Sequence, residues 1–269
     1  MPISSHTGGF LGLWSPSSLS PYMWYDAAVN TSITLSGTNV TQWNDLSGNA
    51  LHMTGTGASV FPVYSADSLN GFTTMTINCT SAFRYFQNTS VSITGNQLTV
   101  FSVHKNTFPG TGRVIYGRVF SMAILGTNQD YNATTTIAPL LYGTTAGRIS
   151  LYYNSADRAN AVVTSNTYVV AASRRNAGTA SLWVNGTKAT DGTGLGTTNF
   201  NITTVRMGTD MANADSGMNG ALAEQIVFRS SLTDAQCDQV NGYLAWKWGL
   251  NGNLPNTHTY KNTPPLWNN

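Results

Sequence analysis

GALAEQIVFRSSLTDAQCDQVNGYLAWKWGL, residues 220–250, is the stretch that decides the fold. Its first part, residues 220–230, is a mostly apolar run, which is typical of a central β-strand covered on both faces. Thr233 precedes Gln236 by three residues, the spacing of a helix capping box, and Leu232 stands where a hydrophobic staple would pack. The stretch therefore predicts a buried strand, a tight capped turn and a helix.

The helix is expected to be amphipathic. Apolar side chains recur after three, four and four residues, at Cys237, Val240, Leu244 and Trp248, so they share one helical face. Gly249 follows as a left-handed C-cap. Since the rest of the chain is rich in short strand patterns and turns, we expect this lone helix to lie against a sheet. A partner-binding helix is the less favoured alternative, because the helix carries several aromatic side chains suited to packing on its own domain.

Working outward, the remaining sequence predicts an antiparallel β-sandwich. Residues 97–105 and 179–184 are among the clearer strand patterns, and Asn185-Gly186 after the second is a strong hairpin signal. Residues 1–20 are predicted to form an N-terminal docking arm in which Trp14 is the anchor; packing of the arm on its own domain is an equal alternative. Residues 21–269 are predicted to form a single domain that ends in an extended, Pro-rich tail.

Composition excludes several classes of function. Only 9% of the 269 residues are charged, against about 25% in typical soluble proteins. The net charge of +2 gives no electrostatic reason to expect a nucleic-acid partner. No apolar run approaches the length of a membrane span, so membrane insertion is not expected, and the N-terminus lacks the pattern of a signal peptide.

The two cysteines, Cys79 and Cys237, lie far apart in the sequence. Cys237 falls on the apolar face of the helix, which favours a buried thiol. A long-range disulfide is the alternative, and sequence alone does not decide between them.

Two sets of motifs resemble the LamG-like, concanavalin A-like jelly-roll domains that are common in phage and large-virus virion proteins and in secreted bacterial proteins. The first set is MWYDA at residues 23–27, VTQWNDLSGNALHMT at residues 40–54 and LNG at residues 69–71. The second is residues 220–250 with the tail that follows. The structural motif residues of this resemblance are Trp43, Asp45, Gly48, Asn49, Glu224, Trp246 and Trp248. It implies an all-β, antiparallel jelly-roll sandwich with one C-terminal helix packed on it.

The resemblance also implies a function, which we state as an expectation. A non-enzymatic virion structural protein is expected: a capsid decoration, fibre or tail-associated module assembled in the host cytoplasm and located on the virion surface. It would attach to other virion proteins through its N-terminal arm and form a homo-oligomer. Cell-surface glycans are a further candidate partner. The first alternative is a carbohydrate-binding module of a secreted or adhesion protein, and the second is a polysaccharide-degrading enzyme.

The enzyme alternative needs two carboxylates that converge in a cleft, as glycosidases use. The chain has a single Glu, Glu224, and lacks the paired acids of a glucanase strand. A pair of acids from separate loops remains open at this point. We interpret Glu224 as a hydrogen-bonded polar residue of the sheet, and we predict that Asp45 and Asn49 cap their own turn while Trp43 fills the core.

Two further sets of residues are candidates for ligand binding. The candidate glycan contacts are Tyr131, Tyr142, Tyr152 and Tyr153. Alternating core side chains explain tyrosines in strands equally well. The candidate calcium ligands are Asp210, Asn213 and Asp215, which stand in an oxygen-rich loop, although an Asx-rich turn is favoured over a calcium site. No other cofactor is expected.

Overall fold

The computed structural model describes residues 14–57, 61–107, 116–124, 136–143, 147–211 and 216–266. The strands are β1 (Met23–Asp26), β2 (Ile33–Ser36), β3 (Asn39–Trp43), β4 (Met53–Gly57), β5 (Val63–Leu69), β6 (Phe72–Asn78), β7 (Arg84–Asn88), β8 (Ile93–Gly95), β9 (Gln97–Asn106), β10 (Gly117–Ala123), β11 (Ile137–Tyr142), β12 (Arg148–Tyr153), β13 (Ala156–Val162), β14 (Val169–Asn176), β15 (Thr179–Val184), β16 (Thr187–Lys188), β17 (Phe200–Ile202), β18 (Thr204–Met207) and β19 (Asn219–Phe228). The helix α1 spans Asp234–Lys247. Within the described ranges, no helix has the length and apolar character that crossing a membrane requires.

Most of the strands form two antiparallel sheets, and β8 pairs with β17 in a separate two-stranded sheet. The first sheet runs in the order β16-β15-β14-β9-β19, and the far edge of β19 pairs with β6 along one half and with β1 along the other. The second sheet runs in the order β13-β12-β11-β10-β18-β7-β4-β3-β2. β5 pairs with β6 at the edge of the first sheet, and among the described residues a single pairing, Asn39 of β3 with Val63 of β5, connects the two sheets there. This arrangement confirms the predicted all-β, antiparallel jelly-roll sandwich.

Side chains from both sheets meet in the core. The ring of Tyr25 on β1 lies 5.7 Å from that of Trp43 on β3, and Trp43 in turn lies 5.4 Å from Phe86 on β7. A polar contact also crosses the layers, because Nε2 of His104 on β9 is 2.9 Å from the hydroxyl of Tyr142 on β11. The interior between the sheets is therefore aromatic and apolar, with a few polar groups bonded to one another.

The helix α1 covers the outer face of the first sheet, where it contacts β14 and β9. Its N-terminus has the predicted capping box: Gln236 N–H donates to Thr233 Oγ1, and Thr233 N–H donates to Gln236 Oε1. The four residues predicted to form the apolar face are fully buried: Cys237, Val240, Leu244 and Trp248. Gly249 has a φ of +69°, so it adopts the left-handed conformation expected of the C-cap.

The described part of the N-terminal arm packs on its own domain. Trp14 is buried, its ring lies edge-on to Tyr243 of α1, and its backbone N–H donates to the carbonyl of Pro265 in the tail. The tail is held in turn by Trp246, whose indole N–H donates to the carbonyl of Tyr260. Residues 1–13 lie outside the described residues, so docking of the arm on a partner stays a prediction.

Both cysteines are free thiols in the core. Burial raises the pKa of Cys237 to about 12 and also raises the pKa of Cys79. The structure therefore agrees with the buried-thiol interpretation and not with the disulfide alternative.

Candidate functional site

The loop of residues 43–49 is built around one carboxylate. Asp45 Oδ1 accepts the backbone N–H groups of Trp24 and Ser47, each at 2.9 Å, and Asp45 Oδ2 accepts that of Leu51 at 3.1 Å. Trp43 at the start of the loop is fully buried. A carboxylate that accepts several N–H groups fixes the backbone around it. Asp45 therefore caps its own turn and ties the loop to β1.

The far side of the loop is fixed to the segment just before β1. Asn49 Nδ2 donates to the carbonyl of Tyr22 at 3.0 Å. Gly48 has a φ of +91°, a conformation that a side chain would strain. The ring Nδ1 of His52 accepts the backbone N–H of Asp45 at 3.1 Å. The loop thus presents a preformed surface beside β1.

A groove of about 470 Å³ opens between this loop, the arm and the end of β19. We call it the arm groove. Its lining residues are Ser17, Ser20, Pro21, Tyr22, Trp24, Leu46, Ser47, Asn49, Arg229 and Ser230. Among the described residues, the lining carries hydroxyl and amide groups and one charged side chain, Arg229, and it includes no acidic residue.

Tyr22 and Arg229 contact each other in the arm groove. The guanidinium carbon of Arg229 lies 3.9 Å from the centroid of the Tyr22 ring, which is a close cation–π contact. Ser92 holds both partners, because its N–H donates to the Tyr22 hydroxyl at 2.9 Å and its carbonyl accepts from Arg229 Nη1 at 3.1 Å. The pair is therefore positioned before any ligand arrives.

A second, smaller depression of about 280 Å³ lies on the second sheet. It is lined by His52, Thr54, Thr56, Gln87, Asn88, Thr89 and Ser90. These side chains offer hydroxyl and amide groups without a fixed charge. The depression is an alternative to the arm groove as a site for a polar ligand.

Two carboxylates and a lysine meet beneath α1, in what we call the buried cluster. Lys247 Nζ donates to Asp26 Oδ2 and to Glu224 Oε2. The indole N–H groups of Trp24 and Trp248 each donate to Glu224 at 2.7 Å. All five side chains are at most 1% exposed.

The protonation of the buried cluster reflects its burial. Burial raises the pKa of Glu224 to about 7, although Lys247 acts in the opposite direction. Burial alone would lower the pKa of Lys247, but the carboxylates of Asp26 and Glu224 outweigh it and hold that pKa well above its usual range. Because none of these groups reaches solvent, the cluster ties α1 to β19 and β1 and does not form a catalytic cleft.

The four candidate glycan tyrosines are not brought together. Tyr142 and Tyr153 are each 1% exposed. Tyr142 bonds to His104 in the core, and the Tyr153 ring lies under the Arg175 guanidinium at 4.8 Å. This burial corrects the prediction for these two residues, because a core side chain cannot contact a glycan. Tyr152 is half-buried on β12, outside the arm groove, and Tyr131 lies outside the described residues.

The candidate calcium ligands cannot be assembled from the described residues. Asp210 is buried, and its carbonyl accepts from Arg206 Nη1 at 2.8 Å. Asn213 and Asp215 lie outside the described residues. Within the ranges described, no three His, Cys, Asp or Glu side chains cluster in a way that could hold a metal ion. The calcium site stays a prediction.

Sequence reasoning missed Tyr22 and Arg229 as site residues. Tyr22 adjoins the MWYD strand, and Arg229 follows the last residue of β19. Each looks in sequence like a residue at the end of a strand. Their meeting depends on the pairing of β1 with β19, which no local pattern reveals.

No protein-family profile matches this sequence, and no curated protein matches it. Solved structures do resemble the fold. One is domain 4 of AbnA, a GH43 extracellular arabinanase from Geobacillus stearothermophilus, solved in complex with arabinotriose; the TM-score is 0.52 at 13% identity, covering 81% of this chain and 96% of that one. Another is a GH54 α-L-arabinofuranosidase, with a TM-score of 0.53 at 17% identity, covering 76% of this chain and 50% of that one.

A third is the sialidase of Trypanosoma rangeli, with a TM-score of 0.51 at 9% identity, covering 86% of this chain and 32% of that one. The chain thus spans about half of the arabinofuranosidase, a third of the sialidase and nearly all of the arabinanase domain. At such low identities the likeness concerns the fold alone. The chain thus has an antiparallel jelly-roll sandwich fold that is similar to the folds of these glycosidase structures.

Proposed function

We propose that this domain binds carbohydrate without catalysing its cleavage, and that the arm groove is the binding site. The observation that carries the proposal is the groove itself, about 470 Å³ in volume, lined by hydroxyl and amide groups and fixed by the pairing of Tyr22 with Arg229. Its volume falls within the range of about 300–1,000 Å³ that is usual for small-molecule sites.

The chemistry of the groove suits a polyhydroxylated ligand. A sugar offers many hydroxyl groups, each able to donate and accept, so its site needs donors and acceptors close together. Ser230 supplies a hydroxyl, whereas the Ser47 hydroxyl already donates to Asp45 Oδ2 and to the Tyr22 carbonyl and fixes the wall of the groove. Asn49 uses its Nδ2 within the protein, which leaves Oδ1 to accept from a ligand. The 43–49 loop holds these groups in place before binding, which reduces the entropy that binding must overcome.

Absence of catalysis is part of the proposal. Hydrolysis of a glycosidic bond uses two carboxylates on either side of that bond. The described lining of the arm groove contains no acidic residue. Asp26 and Glu224 do converge, but on Lys247, and neither is exposed to solvent. These observations support binding over cleavage.

The similar solved structures are compatible with this proposal. Domain 4 of AbnA was solved with arabinotriose, so a domain of this fold and size accommodates an oligosaccharide. The likeness does not indicate which sugar this chain would bind.

Two blocking variants would test the site. The domain is first screened against an array of glycans, and the affinity for those that bind is then measured by titration calorimetry. Ser230→Trp places a bulky side chain in the arm groove, and Thr54→Trp places the same side chain in the smaller depression. Both positions are exposed, so both variants should fold.

We expect Ser230→Trp to lower the affinity at least about tenfold, which corresponds to about 1.4 kcal/mol. Thr54→Trp should leave the affinity unchanged. The opposite pattern would move the site to the smaller depression, and a wild-type domain that binds no glycan would contradict the proposed function itself.

A virion role, which the sequence resemblance implies, is the second proposal. It depends on a docking arm, and Trp14, the expected anchor, is buried against Tyr243 of its own domain. We therefore favour carbohydrate binding over the virion role. Mass spectrometry of purified particles tests the virion role, and absence of the chain from the particle would remove it.

A further inference from the structure

We infer that the arm groove selects sugars that carry a carboxylate, such as uronates or sialates, and that Arg229 anchors that carboxylate. This inference rests on the proposed carbohydrate-binding function and adds the class of sugar and the residue that selects it.

The first argument is the geometry of Arg229. Its guanidinium lies over the Tyr22 ring at 3.9 Å, and its Nη1 donates to the Ser92 carbonyl at 3.1 Å. These two contacts fix the plane of the guanidinium. Within the described residues, its Nε and Nη2 groups have no hydrogen-bond partner. A guanidinium held in this way presents donors whose fork geometry matches the two oxygens of a carboxylate.

The second argument is the exposure of this arginine. Arg229 is solvent-exposed at the edge of a groove, whereas Arg175 is buried in the core and uses its guanidinium on backbone carbonyls. Arg174 is bonded to Asp234 at the start of α1. Of the three, Arg229 is thus the one that lines a cavity large enough for a sugar.

The third argument is charge. In the part of the chain that the structure describes, no acidic side chain lines the arm groove, so these lining residues do not neutralise the positive charge of Arg229. Asp45 stands in the loop that forms one wall, but its carboxylate already accepts from Trp24 N–H, Ser47 N–H and Leu51 N–H. These bonds direct the negative charge of Asp45 into the loop and away from a ligand.

The groove also contains partners for the rest of the sugar. The Ser230 hydroxyl and Asn49 Oδ1 lie in the same lining as Arg229. A carboxylated sugar could therefore place its charge on Arg229 while its hydroxyls bond to the neutral groups. This division of roles distinguishes a built sugar site from general attraction between a basic surface and an anion.

The experiment compares each acidic glycan with its neutral counterpart. Sialylated glycans are paired with their asialo forms and uronate oligosaccharides with their methyl esters, and sulfated glycans form a separate arm. The wild-type domain, Arg229→Gln, Arg229→Lys and the control Arg148→Gln are compared by titration calorimetry at one salt concentration. Arg148 is exposed on β12 and bonded to Asn160, outside the groove.

We expect the wild-type domain to bind carboxylated glycans at least tenfold more tightly than their neutral counterparts. Arg229→Gln should remove that preference, with a loss of roughly ten- to a hundredfold for the acidic glycan. Arg229→Lys should restore only part of it, because lysine lacks the fork. Arg148→Gln should behave as the wild type.

Other outcomes overturn the inference and leave the function separable from it. If neutral glycans bind as well as acidic ones and Ser230→Trp still blocks them, carbohydrate binding stands and the carboxylate assignment fails. If sulfated glycans are preferred, or if Arg148→Gln loses as much affinity as Arg229→Gln, the selection is not made by a carboxylate on Arg229. If no glycan of either kind binds, both proposals fail.

Discussion

Lys247 Nζ lies 2.6 Å from Glu224 Oε2, and this contact joins the C-terminal helix to the central strand of the first sheet. The same ammonium also contacts Asp26 of β1. The three residues are distant in the sequence and together tie α1, β19 and β1 into one unit. That unit also forms one side of the arm groove, since Trp24 of β1 donates to Glu224 and lines the groove.

Replacing Lys247 tests the importance of the buried cluster. Lys247→Met leaves Asp26 and Glu224 buried side by side without their cation. We expect the free energy of unfolding to fall by about 3–5 kcal/mol, the cost of breaking one side of a buried ion pair. Urea denaturation measures it. The control is Lys188→Met, which removes a partly exposed lysine paired with Asp191 and Asp234. It should lower the free energy of unfolding by less than about 1 kcal/mol. Equal effects of the two variants would contradict the role of the buried cluster.

The raised pKa of Glu224 predicts a pH dependence. Its pKa is about 7 in the folded protein against an ordinary value of 4.5, so between these pH values the folded state holds a proton that the unfolded state has released. Its contribution to stability is therefore present at pH 4.5 and is lost as the pH rises through 7. We expect Glu224→Gln, which does not titrate, to become more stable relative to the wild type over this range.

Urea denaturation of both proteins at pH 4.5 and pH 7.5 gives the difference directly, and using the difference cancels groups that titrate alike in both. His104 is one such group. Burial lowers its pKa to about 3 in the folded protein, and Glu224→Gln leaves His104 itself unchanged. A difference in stability that does not change with pH would show that Glu224 titrates normally.

Replacing Gly242, in the middle of α1, with alanine should lower stability, although helix propensity alone predicts the reverse. Alanine is favoured over glycine by about 1 kcal/mol inside a helix. A Cβ at Gly242 would lie 2.6 Å from Tyr260 Cβ, however, so the tail would have to move. We expect Gly242→Ala to lower the melting temperature, whereas Gly252→Ala, where a Cβ meets no atom within 4 Å, should change it little.

The two thiols predict a labelling pattern. Cys79 and Cys237 are buried, and burial raises the pKa of both thiols. Since the thiolate is the reactive form, neither should react with a thiol reagent in the native protein at pH 8. Both should react once the protein is unfolded in urea, without a reductant. Labelling of the native protein within minutes would contradict the burial of these residues.

Much of the fold could be predicted from local patterns. The capping box at Thr233, the left-handed Gly249 and the hairpin at Asn185 and Gly186 each depend on a few adjacent residues, and the structure shows each of them. The strand Thr179–Val184 was predicted with its observed bounds. Such features are readable because the physical cause lies within the same short segment.

Other features could not be predicted from local sequence, because the residues that determine them lie elsewhere in the chain. β13 has the sequence ADRANAV, which lacks an alternating apolar pattern, and the half-exposed strand is held by its pairing with β12. Asp26 was not recognised as a partner of Glu224, because β1 and β19 pair across most of the chain. The arm groove depends on the same pairing. A site made from both ends of a chain leaves no local spacing to recognise.

The most direct test of carbohydrate binding at the arm groove is to map it by NMR. The ¹⁵N-labelled, deuterated domain is titrated with an oligosaccharide identified on the array, and shifts of the backbone amides and of Arg229 Nε–H are followed. The account predicts saturable shifts centred on Ser47, Asn49, Ser92, Arg229 and Ser230. Shifts centred instead on Thr54 and Gln87, or no saturable shifts with any glycan tested, would contradict it.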